Sequence, residues 1–265
     1  MSGTQLGPWA VNLAVTAAAA VAFMSGVFVI GTVKGRHRTV DVAWGLTFTL
    51  LALVGYALSS GHGDPGRRAL VTALTVVWGV RLAVHIERRG RGAPEDPRYE
   101  AFLAKARGSR AWYAYTRVYL LQGLLVWFIS LPVQTVQYGT GALTAAVVPG
   151  VLLWATGLYF EGVGDWQLTR FKADPANKGA LMRTGLWRYT RHPNYFGDAC
   201  VWWGLYLLGV DQWAALLTVL SPLTMTYLLT RGSGKPIVER HLIGTRPEYA
   251  DYAAHTSGFL PRRPR

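Results

Sequence analysis

The sequence predicts an all-α, polytopic membrane protein with about seven transmembrane helices, and three observations lead there. Hydrophobic residues make up 51% of the 265 and charged residues only 15%, against roughly a quarter charged in soluble domains. The charges are gathered into blocks, separated by apolar segments long enough to cross a bilayer. Lys and Arg fall in alternate loops, which gives the chain a sidedness.

The spans follow in order. Trp9 to Val33 carries no charge and predicts a helix over 9–33. The second, 40–60, opens with Asp41 in "TVDVAWGL", a residue type suited to a helix cap. The third, 68–87, holds Arg81 inside its apolar run. The fourth, 114–136, is interrupted by Gln122 in "YLLQGLLVW", and the fifth, 141–170, by Glu161 and Asp165. A short sixth helix over 195–211 and a seventh over 213–231 complete the set. Pro132, Pro149 and Pro222 fall in or near spans, where neighbouring helices can absorb the broken backbone bond.

The tail before the first helix and the links after the fourth and sixth have no Lys or Arg, and the link after the second has only Arg67 and Arg68. The other basic residues lie in alternate loops, at the adjoining helix ends and in the C-terminal segment. The positive-inside rule then places the N-terminus outside and the C-terminus in the cytosol. The net charge of +13 is explained by this topology, without nucleic acid. The first segment lacks a basic n-region and is too long for a signal-peptide core. Cys200 is the single cysteine, which excludes an internal disulfide and a cysteine zinc site. The six His are scattered without metal-ligand spacing. Without repeats or long linkers, one domain over 1–265 is expected. The Ala-, Gly- and Arg-rich usage is compatible with a bacterial plasma membrane.

Polar groups inside a membrane are costly and are functional candidates by default. They gather at the expected cytosolic side. Trp78, Arg81 and His85 form one helical stripe that runs into Arg88, Arg89 and Arg91. Glu161 and Asp165 stand four residues apart, with Lys172 near the same face; Asn194 and Asp198 repeat the spacing. "GLWRYTRHPNYFGD" adds Arg188, Arg191, His192 and Tyr195. Basic residues at helix ends commonly snorkel and fix topology, Gln122 can glue helices together, and Trp202 can be a packing aromatic. Topology does not account for carboxylates beside the arginines. Together they describe a cytosol-facing polar cavity for a nucleotide-like anionic ligand, next to an apolar slot for a lipid. No GxGxxG follows a strand, and no nucleophile elbow or triad is visible.

"GLWRYTRHPNYFGD", "LYFEGVGDWQLTRFK", "YLLQG" and "EYADYAAHTSGFLP" together resemble the steroid 5-alpha-reductase superfamily, and more closely its uncharacterised bacterial branch. The resemblance covers the chain from about residue 38 onward. It implies a seven-helix reductase that holds NADPH in a cytosol-facing cavity, mainly within 78–265, and reduces a carbon–carbon double bond in a lipid or steroid-like enone. By position it implies cofactor contacts from Arg81, His85, Arg91, Asp165, Lys172, Asn194 and Asp198. Glu161 stands where the family has Asn. Gln122, Arg188, Arg191, His192, Tyr195, Glu239 and Tyr252 join the expected cofactor set. At the substrate end, Asp41 matches the family's Glu, and Trp78 stands at its Tyr position. Indole cannot supply a phenolic proton, so Tyr119 or Tyr115 is the expected replacement, with Tyr119 taken as catalytic.

The last two helices also resemble isoprenylcysteine carboxyl methyltransferases and related phospholipid methyltransferases, through "RHPNY" and "IVERHLIGTRPEYADY". The adjacent Glu–Glu pair of those enzymes is absent, and S-adenosylmethionine has no phosphate to engage the arginines. A lipid-binding protein without catalysis is the third reading. The sequence shows no inverted repeat or paired broken helices of a transporter.

Overall fold

A computed structural model describes residues 3–92 and 95–264. Among them every regular element is a helix. The first helices are α1 (Gly3–Lys34), α2 (Thr39–Leu58), α3 (Pro65–Gly90) and the short α4 (Pro97–Leu103). A broken helix, α5, occupies 110–136. It is followed by α6 (Val148–Ala173), α7 (Pro193–Leu207), α8 (Trp213–Leu216), α9 (Leu220–Thr230), α10 (Lys235–Thr245) and α11 (Tyr249–His255). The chain divides into two compact units, 1–146 with 208–218, and 147–207 with 219–265.

Five stretches are long and apolar enough to cross a membrane: Gln5–Lys34, Thr39–Leu58, Pro65–Gly90, Ala145–Ala173 and Trp213–Thr245. The expected fourth and sixth spans take other forms. Over 110–136 the helix passes through a π turn at Tyr115–Leu120 and breaks again at Ser130, just before Pro132. The sixth, α7, has 15 residues. Within 213–245 the apolar part ends at Thr230. A turn over 231–234 then leads to α10, whose Lys235, Glu239, Arg240 and His241 mark it as surface helix outside the span.

In the first unit α2 packs on α1 and α3. Gly45 and Gly79 let two backbones meet: a Cβ on Gly79 would lie 2.5 Å from the carbonyl oxygen of Gly45. Phe48, Leu51, Val71 and Trp78 fill the core around this crossing. The turn before α3 is tied down by charge. Asp64 caps the helix by accepting from Arg67 N at 2.9 Å, with Pro65 in the first turn. Arg67, 1% exposed, donates to Asp211 and to the carbonyl oxygens of Leu208 (3.0 Å) and Ala142 (3.2 Å). Arg68 donates to Ser59 Oγ at 2.8 Å and the Tyr56 carbonyl at 2.6 Å, its guanidinium lying over the Tyr56 ring.

The second unit is organised by α6 against α7. Gly150, Gly157 and Gly164 recur every seven residues on α6, and Gly197 and Gly204 do so on α7. A Cβ on Gly157 would lie 2.5 Å from Gly197 O, and one on Gly197 would lie 2.5 Å from Gly157 O. Small residues are the usual means of close helix packing in lipid, where no hydrophobic force draws helices together. Helix α9 packs on α7, and Trp203 Nε1 donates to Thr226 Oγ1 at 3.1 Å.

Because the Gly157 contact is with backbone, a methyl group there cannot be relieved by a rotamer change. Gly157→Ala is expected to destabilise the protein by about 1–3 kcal/mol. Gly162→Ala on the same helix meets nothing within 4 Å and should be neutral or stabilising, by up to about 1 kcal/mol. Thermal unfolding of both variants in detergent measures the contrast.

Candidate functional site

The α6–α7 seam carries four of the second unit's candidate residues. Glu161 and Asp165 lie on the glycine-bearing face of α6 and are 2% and 5% exposed. A Cβ on Gly197 would approach Glu161 Cβ to 3.0 Å, so the carboxylate side chain lies against α7. Asn194 Nδ2 donates to Asp165 Oδ1 at 3.3 Å, and Asn194 Oδ1 accepts from Tyr195 N at 3.1 Å. Asp198 follows one turn later and is half-buried. Glu161, Asp165 and Asn194 thus come together on the seam, with Asp198 one turn further along α7. Lys172 lies further along α6 and is exposed.

The residues just before α7 do something else. Arg191 Nε donates to Glu239 Oε1 at 2.9 Å, and its Nη2 lies at 2.9 Å from the same oxygen. Its Nη1 donates to the carbonyls of Ala253 (2.9 Å) and Thr256 (2.6 Å), and its backbone N donates to Ser257 O at 2.9 Å. His192 Nε2 lies 3.0 Å from Glu239 Oε1, and its ring stacks on Tyr195 at 5.2 Å. The Tyr252 hydroxyl donates to Trp187 O, Thr190 Oγ1 donates to Phe259 O at 2.9 Å, and Arg262 N donates to Tyr189 O at 2.9 Å. Arg191, His192, Glu239 and Tyr252 thus clamp the C-terminal segment onto the 185–192 turn. Their principal polar atoms face protein groups. The sequence placed these residues at one site without revealing that they hold each other.

The clamp sets its own ionisation. Burial pushes the His192 pKa below the usual 6.5, and the Glu239 hydrogen bond and charge offset this only in part. Burial works to raise the Glu239 pKa, but hydrogen bonds from His192 and Arg191 and the Arg191 charge outweigh it and bring it down to about 2. Burial raises both Tyr249 and Tyr252.

Beside the clamp, within the same unit, lies an open cavity of about 390 Å³ lined by Arg183, Thr184, Arg188, Asp251, Tyr252, His255 and Thr256 among others. Arg188 is exposed. Arg183 is held by Asp251 at 3.2 Å and by the Glu248 carbonyl at 2.8 Å. The exposed Arg188 guanidinium and the Thr184 and Thr256 hydroxyls suit a phosphate-bearing ligand beside the Arg183–Asp251 pair. Arg183, Thr184 and His255 were not singled out by sequence, since only the fold of the C-terminal segment brings 183–188 and 251–256 together.

The first unit holds the expected substrate-end residues. Asp41 Oδ1 accepts from the Tyr99 hydroxyl at 2.5 Å. Tyr119 is fully buried on the π turn, and its hydroxyl lies 2.9 Å from His37 Nδ1. π turns inside α-helices occur frequently at functional sites. Glu95 accepts from the backbone N of His37 and from Arg38 N at 3.1 Å. A cavity of about 310 Å³ opens here, lined by His37, Glu95, Tyr99, Glu100 and Arg110 among others. Burial lowers the His37 pKa; Glu95 opposes this and Arg110 reinforces it. Trp78 is fully buried, edge-on to Phe48 at 5.4 Å. Arg81, His85 and Gln122 are half-buried, and Arg91 is exposed, 3.9 Å from Glu87. His37 and Tyr99 are additions to the sequence-derived set; neither lies in an apolar span.

Both clamp groups make the second unit sensitive to acid. The unfolded His192 takes up a proton below about pH 6.5 that the folded ring resists. The Glu239 contribution, complete above pH 4.5, is lost as pH falls toward about 2. Limited proteolysis is expected to cut the 253–262 segment increasingly fast below pH 6.5. Glu239→Gln should loosen it already at neutral pH, at a cost of about 1–3 kcal/mol, and should flatten the response between pH 4.5 and 2.

Comparison with known proteins adds a family. A Schizosaccharomyces pombe protein described as uncharacterized is 23% identical over 249 residues, covering 84% of this chain and 72% of that protein. No solved structure gives a significant match. The profile of the family described as "Protein of unknown function (DUF1295)" matches residues 27–256. The chain, matched over nearly its whole length and across both units, belongs to that family.

Proposed function

We propose that this protein is an NADPH-dependent membrane reductase of a carbon–carbon double bond in a lipid or steroid-like enone, related to the steroid 5-alpha-reductase superfamily. The observation that carries the reading is the buried Glu161 and Asp165, with Asn194 bonded to Asp165, on the α6–α7 seam. Buried carboxylates in a membrane helix are too costly to be retained for packing alone. Acids and an amide suit ribose hydroxyls and a carboxamide, and the Arg183–Arg188 cavity of the same unit suits phosphate. The residues fit the cofactor in kind. Arg188 takes the 2'-phosphate, Asn194, Asp198, Asp165 and Glu161 take the sugar and amide, and Lys172 contributes charge.

NADPH, when bound, supplies the hydride. The chain supplies orientation, a dry setting and a proton. Tyr119 is the proton donor of this reading: its hydroxyl is buried and paired with His37, and Asp41 with Tyr99 holds the polar end of the substrate. The topology of the reading has seven crossings, the N-terminus outside and the cofactor mouth in the cytosol of a bacterial plasma membrane. The broken α5 is its fourth crossing. At 1.5 Å per residue the 15-residue α7 reaches about 22 Å, against a hydrocarbon core of about 30 Å, so flanking turns complete the sixth.

Thermal stabilisation of the purified protein by NADPH, NADH and S-adenosylmethionine separates the readings. NADPH is expected to stabilise most; stabilisation by S-adenosylmethionine alone replaces reduction with methyl transfer. Asn194→Ala and Asp198→Ala should each remove the NADPH shift while the protein stays folded. Arg188→Ala should weaken NADPH about tenfold, roughly 1.4 kcal/mol, and leave NADH unchanged. Tyr119→Phe should cut turnover by about 10²–10⁴ with NADPH binding intact; an undiminished rate removes Tyr119 from the mechanism.

A further inference from the structure

The first unit contains a second polar set, distinct from every candidate above. Asn12, Thr16, Ser130, Gln134 and Gln137 are all buried, between 0% and 2% exposed. Their hydrogen bonds fix which end of each amide is which. Ser130 Oγ gives its proton to Trp127 O at 2.7 Å, so it accepts from Gln134 Nε2, also at 2.7 Å. Gln134 Oε1 is therefore an acceptor, and it receives Asn12 Nδ2 at 3.0 Å. Gln137 Nε2 donates to the Ala52 carbonyl and to Thr72 Oγ1, both at 2.8 Å. A carbonyl can only accept, so this amide cannot be turned either.

What remains are two oxygens, Asn12 Oδ1 and Gln137 Oε1. Both are buried and have no hydrogen-bond partner among the described residues. They converge on one point: a Cβ on Gly55 would collide with Gln137 Oε1 and lie 3.4 Å from Asn12 Oδ1. Two buried acceptors beside the same glycine, one of them on a membrane-spanning stretch, have no bulk water to turn to. The missing chemistry is a neutral group with two donors. A hard cation is a poor match, because it takes six or more oxygens and both of these are uncharged.

We propose that a single water molecule is bound at the meeting of α1, α2 and α5, donating one proton to Asn12 Oδ1 and the other to Gln137 Oε1. Buried waters of this kind complete otherwise unsatisfied polar groups and are costly to remove. The site makes Gly55 obligatory and joins three helices through a hydrated contact. It does not depend on the proposed reductase activity.

The test is water-to-protein NOE measurement on the full-length protein, with side-chain amides of Asn12 and Gln137 assigned. Long-lived water cross-peaks to both amides are expected. Gly55→Ala, whose methyl group displaces the Gln137 oxygen, should lose both peaks and melt at lower temperature. Wild-type protein with no such peaks, while its surface amides show theirs, overturns the proposal in favour of a dry contact with the Gly55 Cα hydrogens. Cross-peaks displaced by sodium or potassium but not by choline, with a matching rise in melting temperature, overturn it in favour of a cation. If Gly55→Ala fails to fold, the wild-type spectra still decide.

Discussion

The backbone-to-backbone contact of α6 and α7 is the constraint on which the second unit's chemistry depends. Gly157 and Gly197 each present a carbonyl where the other helix would otherwise carry a side chain. Only at that separation do Glu161 and Asp165 reach α7 while shielded from lipid. A wider crossing would admit a layer of side chains between the helices and leave the two carboxylates in hydrocarbon. The glycine seam is therefore the condition for keeping acids in the membrane at all. Gly45 and Gly79 play the same part for α2 and α3 in the first unit, where the space freed lets Trp78 pack edge-on against Phe48.

The second theme is how charge is held. Arg67 and Arg191 both lie almost wholly inside the protein, and both have their guanidinium nitrogens met by one carboxylate and two main-chain carbonyls. Arginine does this better than lysine because its planar fork offers several donors in fixed directions. Each ties a segment with little apolar surface of its own: the 208–211 turn in one case, the C-terminal segment in the other. The desolvation cost of such a buried charge is offset only while every donor is met. An arginine so engaged is part of the scaffold. A ligand's phosphate is left with side chains such as Arg188, which face the open cavity.

This explains what sequence could and could not disclose. Helical class, membrane character, most spans and the Glu161, Asp165, Asn194 and Asp198 group were legible, because each rests on local pattern: an apolar run, a four-residue spacing, a helical stripe. The seven-residue glycine repeats were equally visible and were the signal to read for the α6–α7 contact. The Arg191–Glu239 tie was not legible, since it joins residues 48 apart through a loop whose path no periodicity encodes. The Asn12–Gln134 bond, 122 residues long in sequence, was hidden for the same reason. So was the π turn that carries Tyr119, because its residues look like any other helix.

A bilayer offers no water to satisfy a stray polar atom, so the degree of closure of each network separates scaffold from site. Gln134 is met by Asn12, Thr16 and Ser130; every one of these partners is buried, and the group forms an internal joint. By contrast, the His37–Tyr119 bond has one partner deep in the helix packing and the other on the wall of a cavity of about 310 Å³. Tyr99, which bonds Asp41, lines that same cavity. A hydrogen-bonded pair with one end buried and one end exposed can pass a proton between a shielded place and an open one, whereas a closed joint cannot. By that criterion His37, Asp41, Glu95, Tyr99 and Tyr119 are the first unit's candidates for function, although the apolar spans contain only two of them.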